Sequence, residues 1–208
     1  YPTVLIGAQT LLRYDDASGV IQPEPSTTLN GPFEPVFAPS YPADRRFLMG
    51  GTRIDKGVLK SAVFTCSRAM CTWNVLRGGR GAPKIRLRHD YATSNVGYAF
   101  TQNGLYKSSD VWGFSPVETP WPEDAILFDV ALSGSDTVFA AVAARDEAAP
   151  DGLYRSDDGG ATWSHVVAPL LRDGATGIAV EGDRMIVTLT ESGVACSSDG
   201  GQRWSRRC

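Results

Sequence analysis

Apolar residues in this chain come in short runs rather than at helical spacing. Five runs of small or apolar residues stand out: VLIGA, RFLMGG, VGYAFT, TVFAAVA and RMIVTLT. Four of them are preceded by a second run, EPVFAPS, IRLRHDY, ILFDVAL and TGIAV. The runs favour β-branched and aromatic residues and are bounded by Gly, Pro, Asp and Asn, a pattern that predicts strands. No segment sustains apolar residues at i, i+3, i+4 and i+7, so no amphipathic helix is expected.

A small polar turn recurs between the strands. GLYRSDDGGATWSHV (152–166) superposes on GVACSSDGGQRWSRR (193–207), with Ser156 on Ser197 and Trp163 on Trp204. GLYKSSDVWGFSPV (104–117) fits with one deletion, which places Ser108 on Ser156 and Phe114 on Trp163. AVFTCSRAMCTWNVL (62–76) fits without gaps through Cys66 and Trp73. TLLRYDDASGVIQP (10–23) is the weakest copy, aligned through Tyr14 and Asp16. The equivalent positions 14, 66, 108, 156 and 197 are separated by 52, 42, 48 and 41 residues. A period of about 40–50 residues is that of a propeller blade.

The expected fold is therefore all-β, a single five-bladed β-propeller of four-stranded antiparallel blades covering 1–208. The blades fall at about 1–32, 33–80, 81–121, 122–172 and 173–208. VLIGA corresponds to the second strand of later blades, so either the first blade has three strands or residues upstream of Tyr1 were removed; the fifth reads as complete at its C-terminal end. A β-sandwich would not explain the fixed period.

The stretch SDDGGATW resembles the Asp-box, or bacterial neuraminidase repeat, Ser-x-Asp-x-Gly-x-Thr-Trp. Ser156, Asp158, Gly160, Thr162 and Trp163 match it throughout; Ser197, Asp199, Gly201 and Trp204 match too, with Arg203 where Thr is usual. PSYPADRRFLMGGT is similar to blade openings of sialidase-like and sortilin-like propellers. The resemblance implies that these turns lie away from the ligand face and serve folding. The residue types agree: Gly reaches positive φ, Asp accepts bonds from nearby backbone N–H groups, and Trp is expected to pack between blades. In the second unit Cys66 and Cys71 stand where Asp and Gly are missing, and Cys196 and Cys208 flank the last turn. Four cysteines allow three pairings; Cys66–Cys71 with Cys196–Cys208 is favoured, against the alternative of a free Cys208.

Charge narrows the function. The net charge is −3 with 20 basic residues, giving no basic bias towards nucleic acid. No apolar stretch is long enough to span a membrane. An even cysteine count without metal-ligand spacing fits an exported, disulfide-bonded protein and implies neither metal nor cofactor.

In a propeller, binding belongs on the loops from blade to blade and between second and third strands. These supply Arg53, Asp55, Lys56, Arg80, Lys84, Trp121, Asp146, Glu147, Arg172 and Glu191 as candidate binding residues. The proline-flanked Trp121 suits stacking on a sugar or peptide, or capping the core. Arg77, Arg80, Lys84, Arg86 and Arg88 form the one basic cluster. The Arg triad and Tyr–Glu pair of a sialidase are absent. A glycosidase would need converging carboxylates, for which Asp55, Asp90, Asp129, Glu147 and Glu191 are candidates. The expected function is a non-catalytic extracytoplasmic scaffold that recognises a protein partner through its loop face. The alternatives are a lectin-like propeller with a glycan ligand and a glycoside hydrolase.

Overall fold

The computed structural model describes residues 3–6, 12–15, 20–23, 35–41, 43, 46–67, 71–110, 113–143 and 150–208. The described residues form antiparallel sheets of three or four strands. The first sheet contains β1 (Thr3–Ile6), β2 (Leu12–Asp15) and β3 (Val20–Pro23). The second contains β4 (Pro35–Phe37), β5 (Phe47–Asp55), β6 (Val58–Cys66) and β7 (Cys71–Val75). The third contains β8 (Lys84–Leu87), β9 (Gly97–Thr101), β10 (Gly104–Ser108) and β11 (Ser115–Pro116). The fourth contains β12 (Ile126–Ser133), β13 (Thr137–Ala143), β14 (Gly152–Ser156) and β15 (Ser164–His165). The fifth contains β16 (Ala175–Glu181), β17 (Arg184–Leu189) and β18 (Val194–Ser197). Strands adjacent in space are adjacent in sequence throughout. Each sheet thus completes its ladder with hairpins, which antiparallel pairing permits.

Contacts divide the chain into two units, Tyr1–Thr101 with Tyr106–Pro116, and Gln102–Leu105 with Val117–Cys208. In the first unit, Leu48 and Val63 pack with Ile85, Tyr91, Ala99, Tyr106 and Phe114. Because side chains alternate across a strand, their neighbours Phe47, Met49, Ala62 and Phe64 form a second cluster on the other face. Burial on both faces is why RFLMGG and SAVF read as unbroken small-apolar runs. A Cβ on Gly50 would lie 1.5 Å from the Pro83 carbonyl oxygen, so the loop before β8 crosses the strand where no side chain fits. In the second unit, Ala131, Phe139, Ala141 and Leu153 of the fourth sheet pack with Ile178, Met185, Val187 and Ala195 of the fifth.

The repeated turns satisfy their own polar groups. Ser156 Oγ donates to Asp158 Oδ1 (2.7 Å) and accepts from the Gly160 N–H (2.8 Å). Asp158 also accepts from the Thr162 N–H (2.8 Å) and hydroxyl (2.5 Å). The Trp163 indole N–H returns to the Gly160 carbonyl at 3.2 Å. The second copy repeats this geometry. Ser197 donates to Asp199 (2.8 Å), Gly201 N–H donates to Ser197 (2.9 Å) and Trp204 donates to the Gly201 carbonyl (2.9 Å). Gly160 and Gly201 sit at φ 93° and 90°, where a Cβ is strained. Bonds from Thr162, its hydroxyl foremost, hold the Asp158 carboxyl far below the usual carboxylate range. Asp199 is lowered chiefly by the Arg203 N–H, which remains although the threonine hydroxyl is lost.

Three details depart from expectation. The fifth sheet has three strands, completed only by a Cys196–Ser205 bridge. The residues beyond that turn are polar and offer a fourth strand no apolar face. IRLRHDY is not one strand: β8 ends at Leu87, Arg88 pairs with Asp90, and the chain turns into α1 (Tyr91–Ser94), anchored by buried Tyr91. Trp73 is not buried but 51% exposed. Its hairpin has no Gly-Gly turn onto which the indole can fold, and its ring is covered instead by the Arg53 guanidinium at 3.5 Å. Beside the fourth sheet's closing turn, His165 is half-buried, its ring 5.2 Å from that of Tyr154. Disulfides join Cys66 to Cys71 and Cys196 to Cys208.

Candidate functional site

The longest hairpin carries three of the expected binding residues. β5 and β6 pair without interruption from Phe47↔Cys66 to Asp55↔Val58. β4 pairs with β5 only as far as Met49, and β7 pairs with β6 only from Ala62 onward. Beyond Gly51 and Ala62 the pair therefore runs on as a two-stranded arm. Lys56 and Gly57 close it with φ of 50° and 79°, the two positive values that a type I′ turn requires. A lysine in that conformation is uncommon, and Gly57 makes the turn accessible.

Arg53, Asp55 and Lys56 all lie on this arm. Lys60 Nζ bonds Asp55 at 2.8 Å across the hairpin, with both side chains 39% exposed. The Lys60 bond holds the Asp55 carboxyl below its usual range. An exposed pair of this kind adds little stability but fixes where the charges sit. Above it, Ile54, Val58 and Leu59 are 57–60% exposed. Sequence reasoning missed these three and Lys60. The signal was present in TRIDKGVLK, where apolar residues continue to the turn instead of giving way to polar ones.

Arg80 lies on the loop that follows β7, and Lys84 opens β8 just beyond it. Ser61 Oγ donates to the Gly81 carbonyl at 2.5 Å, and the Tyr106 phenol donates to the Arg77 carbonyl at 2.8 Å. The loop is thus held by its backbone, leaving the side chains of Arg77, Arg80 and Lys84 exposed. Residues 76–88 contain five cations and no carboxylate.

The second unit is less accommodating. Trp121, expected on a binding rim, is only 8% exposed. Its ring lies edge-on at 5.3 Å from both Tyr154 and Trp163, and the flanking prolines lead it into the core rather than out of it. Arg172, just past a 3-10 turn at Pro169–Leu171, and Glu191 are exposed. Asp173 links their loops by accepting the Glu191 N–H at 3.3 Å. Asp146 and Glu147 lie outside the described residues.

Three of the candidate carboxylates, Asp55, Asp90 and Asp129, are engaged by the protein. Arg88 grips Asp90 at 2.8 and 2.6 Å, Ser94 adds a bond at 3.0 Å, and the Arg88 bonds in particular lower the Asp90 carboxyl. Asp129 accepts the N–H groups of Val130 (2.9 Å) and Ile178 (3.2 Å). A general acid in glycoside hydrolysis needs its carboxyl raised; Asp55 and Asp90 move the other way. Among the described residues no group of three or more His, Cys, Asp or Glu side chains could hold a metal ion.

No family model and no curated protein matches the chain. Solved structures do. The computationally designed Ika4 protein superposes with a TM-score of 0.51 at 7% identity, covering 78% of this chain and 87% of its own. The fold is of the β-propeller kind. The designed Ika8 protein gives 0.51 at 10% identity over 98% of this chain and 70% of its own. YCF48 bound to a D1 peptide gives 0.50 at 13% identity over 96% of this chain and 76% of its own. At these identities the likeness is one of fold.

Proposed function

We propose that this chain is a non-catalytic, extracytoplasmic binding propeller of the Asp-box class, with its sheets as five blades of one ring over 1–208. It recognises a protein partner through the loops between second and third strands and from blade to blade. The observation that carries the reading is the contrast in the first unit. Arg53, Lys56, Arg80 and Lys84 stand on well-held backbone, while Asp55, Asp90 and Asp129 are tied to partners within the protein. YCF48 offers a precedent, a chain of this fold with a bound peptide. Two disulfides agree with an oxidising compartment. In the second unit Arg172 and Glu191 stand exposed on loops of their own.

The test compares the chain with an Arg53→Glu/Arg80→Glu variant, using proteins from the extracytoplasmic fraction of the source cells and a glycan array. The reading expects a discrete protein to be retained by the parent chain and lost from the variant. Selective retention on glycans, with no protein lost on charge reversal, would overturn it.

A further inference from the structure

The β5–β6 arm exposes apolar side chains that a self-contained domain has reason to hide. Ile54 pairs with Leu59 across the ribbon, so the two share one face, whereas Val58 pairs with Asp55 and lies on the other. Ile54 and Leu59, each 60% exposed, therefore form one large aliphatic pair at the tip, with Val58, 57% exposed, on the reverse face. Scattered apolar residues are ordinary on a surface, but a contiguous group rimmed by charge marks a contact site. The arm is also stiff. It is paired to its last residue, closed by a two-residue turn and cross-braced by Lys60–Asp55. A rigid prong loses little conformational freedom on binding.

Charge identifies what the prong fits. Between 53 and 60 there are three cations, Arg53, Lys56 and Lys60, and one carboxylate, Asp55, already engaged by Lys60. The ribbon's root is joined through Ser61–Gly81 to the loop of Arg77 and Arg80, which leads into Lys84 of β8 and lacks any carboxylate. A basic partner would meet like charge all along this edge. We infer that the arm tip is a docking site for an acidic segment of a partner protein, whose aliphatic or aromatic side chains cover the Ile54–Leu59 pair while its carboxylates reach Lys56 at the turn and the cations along the ribbon's edge. The inference rests on the protein-binding reading and names the partner chemistry for one part of that rim.

A random dodecapeptide display library, selected on the intact chain, tests it. Enriched peptides are expected to carry net negative charge and at least two large apolar residues. A synthetic peptide from that set should bind at least about tenfold more weakly to Ile54→Ser/Leu59→Ser, and to Lys56→Glu, a one-residue change at an exposed tip that leaves packing untouched. Circular dichroism checks that both variants remain folded. Basic or uncharged winners would overturn the inference, as would unchanged binding to both variants. So would an arm-dependent dimer of the free chain at binding concentrations, which would make a second copy the occupant. Peptides that ignore the arm but are lost on Arg80→Glu would overturn the arm site while leaving the protein-binding reading intact.

Discussion

The closing turns at Ser156–Trp163 and Ser197–Trp204 differ sharply from the β5–β6 arm, although both are hairpin ends. In the turns, polar groups are spent internally: serine hydroxyl, aspartate carboxylate and glycine N–H bond one another, and the indole folds back on the backbone. The arm does the reverse. Its backbone is complete, yet its apolar and cationic side chains face outward. The most conspicuous sequence motif thus describes how the sheets are fastened. The less conspicuous TRIDKGVLK describes where another molecule can be held.

Five variants sharpen this contrast, in falling order of effect on stability. Replacing Cys196 and Cys208 by Ser opens the longer disulfide loop, with a sequence separation of 12 against 5 for the other pair. Loop-closure entropy puts the loss at about 3 kcal/mol, against about 2 for Cys66 and Cys71. Urea unfolding of the two double variants should rank them in that order; the opposite ranking would show that the second sheet depends on its bridge for more than chain entropy. Ser156→Ala removes a buried hydroxyl and strands the Gly160 N–H, which should cost about 2 kcal/mol in the same assay. An indistinguishable midpoint would mean the turn is no fastener.

Asp158 gives a subtler pH effect. Its carboxyl is lowered in the folded chain relative to the unfolded one. Its contribution is therefore full above the unfolded carboxylate range, about pH 4, and fades as acid titrates the folded group. Asp158→Asn should flatten the fall of Tm between pH 5 and 2, whereas parallel curves would assign acid lability to other groups. Smallest of all, Ile54→Ser/Leu59→Ser should change folding stability by less than about 0.5 kcal/mol, because these side chains are already largely in water. A larger loss would show that the arm belongs to the core.

The strands and turns were legible because their causes are local. Apolar runs, bounding glycines and the Ser-x-Asp-x-Gly spacing each act over a few residues. What escaped the sequence depends on partners far along the chain. Trp121 reads as a rim residue until Tyr154 and Trp163 are seen around it. Trp73 holds the place of a buried indole, but a disulfide hairpin gives it nothing to fold back upon, and Arg53 shelters its ring. Arg88 and His89 look like strand continuation until Asp90 bends the chain by holding Arg88. The arm fell between these cases. Its alternation was readable, but its projection beyond β4 and β7 is a matter of unequal strand lengths, visible only once the sheet is assembled.

The separation between fastening turn and binding arm is tested most directly by one paired measurement: affinity for a peptide selected on the intact chain, set beside unfolding free energy, for Ser156→Ala and Ile54→Ser/Leu59→Ser. The account predicts that the turn variant loses about 2 kcal/mol of stability and keeps its affinity, while the arm variant keeps its stability and binds at least about tenfold more weakly. The reverse pattern, with affinity lost at the turn and retained at the arm, would contradict it.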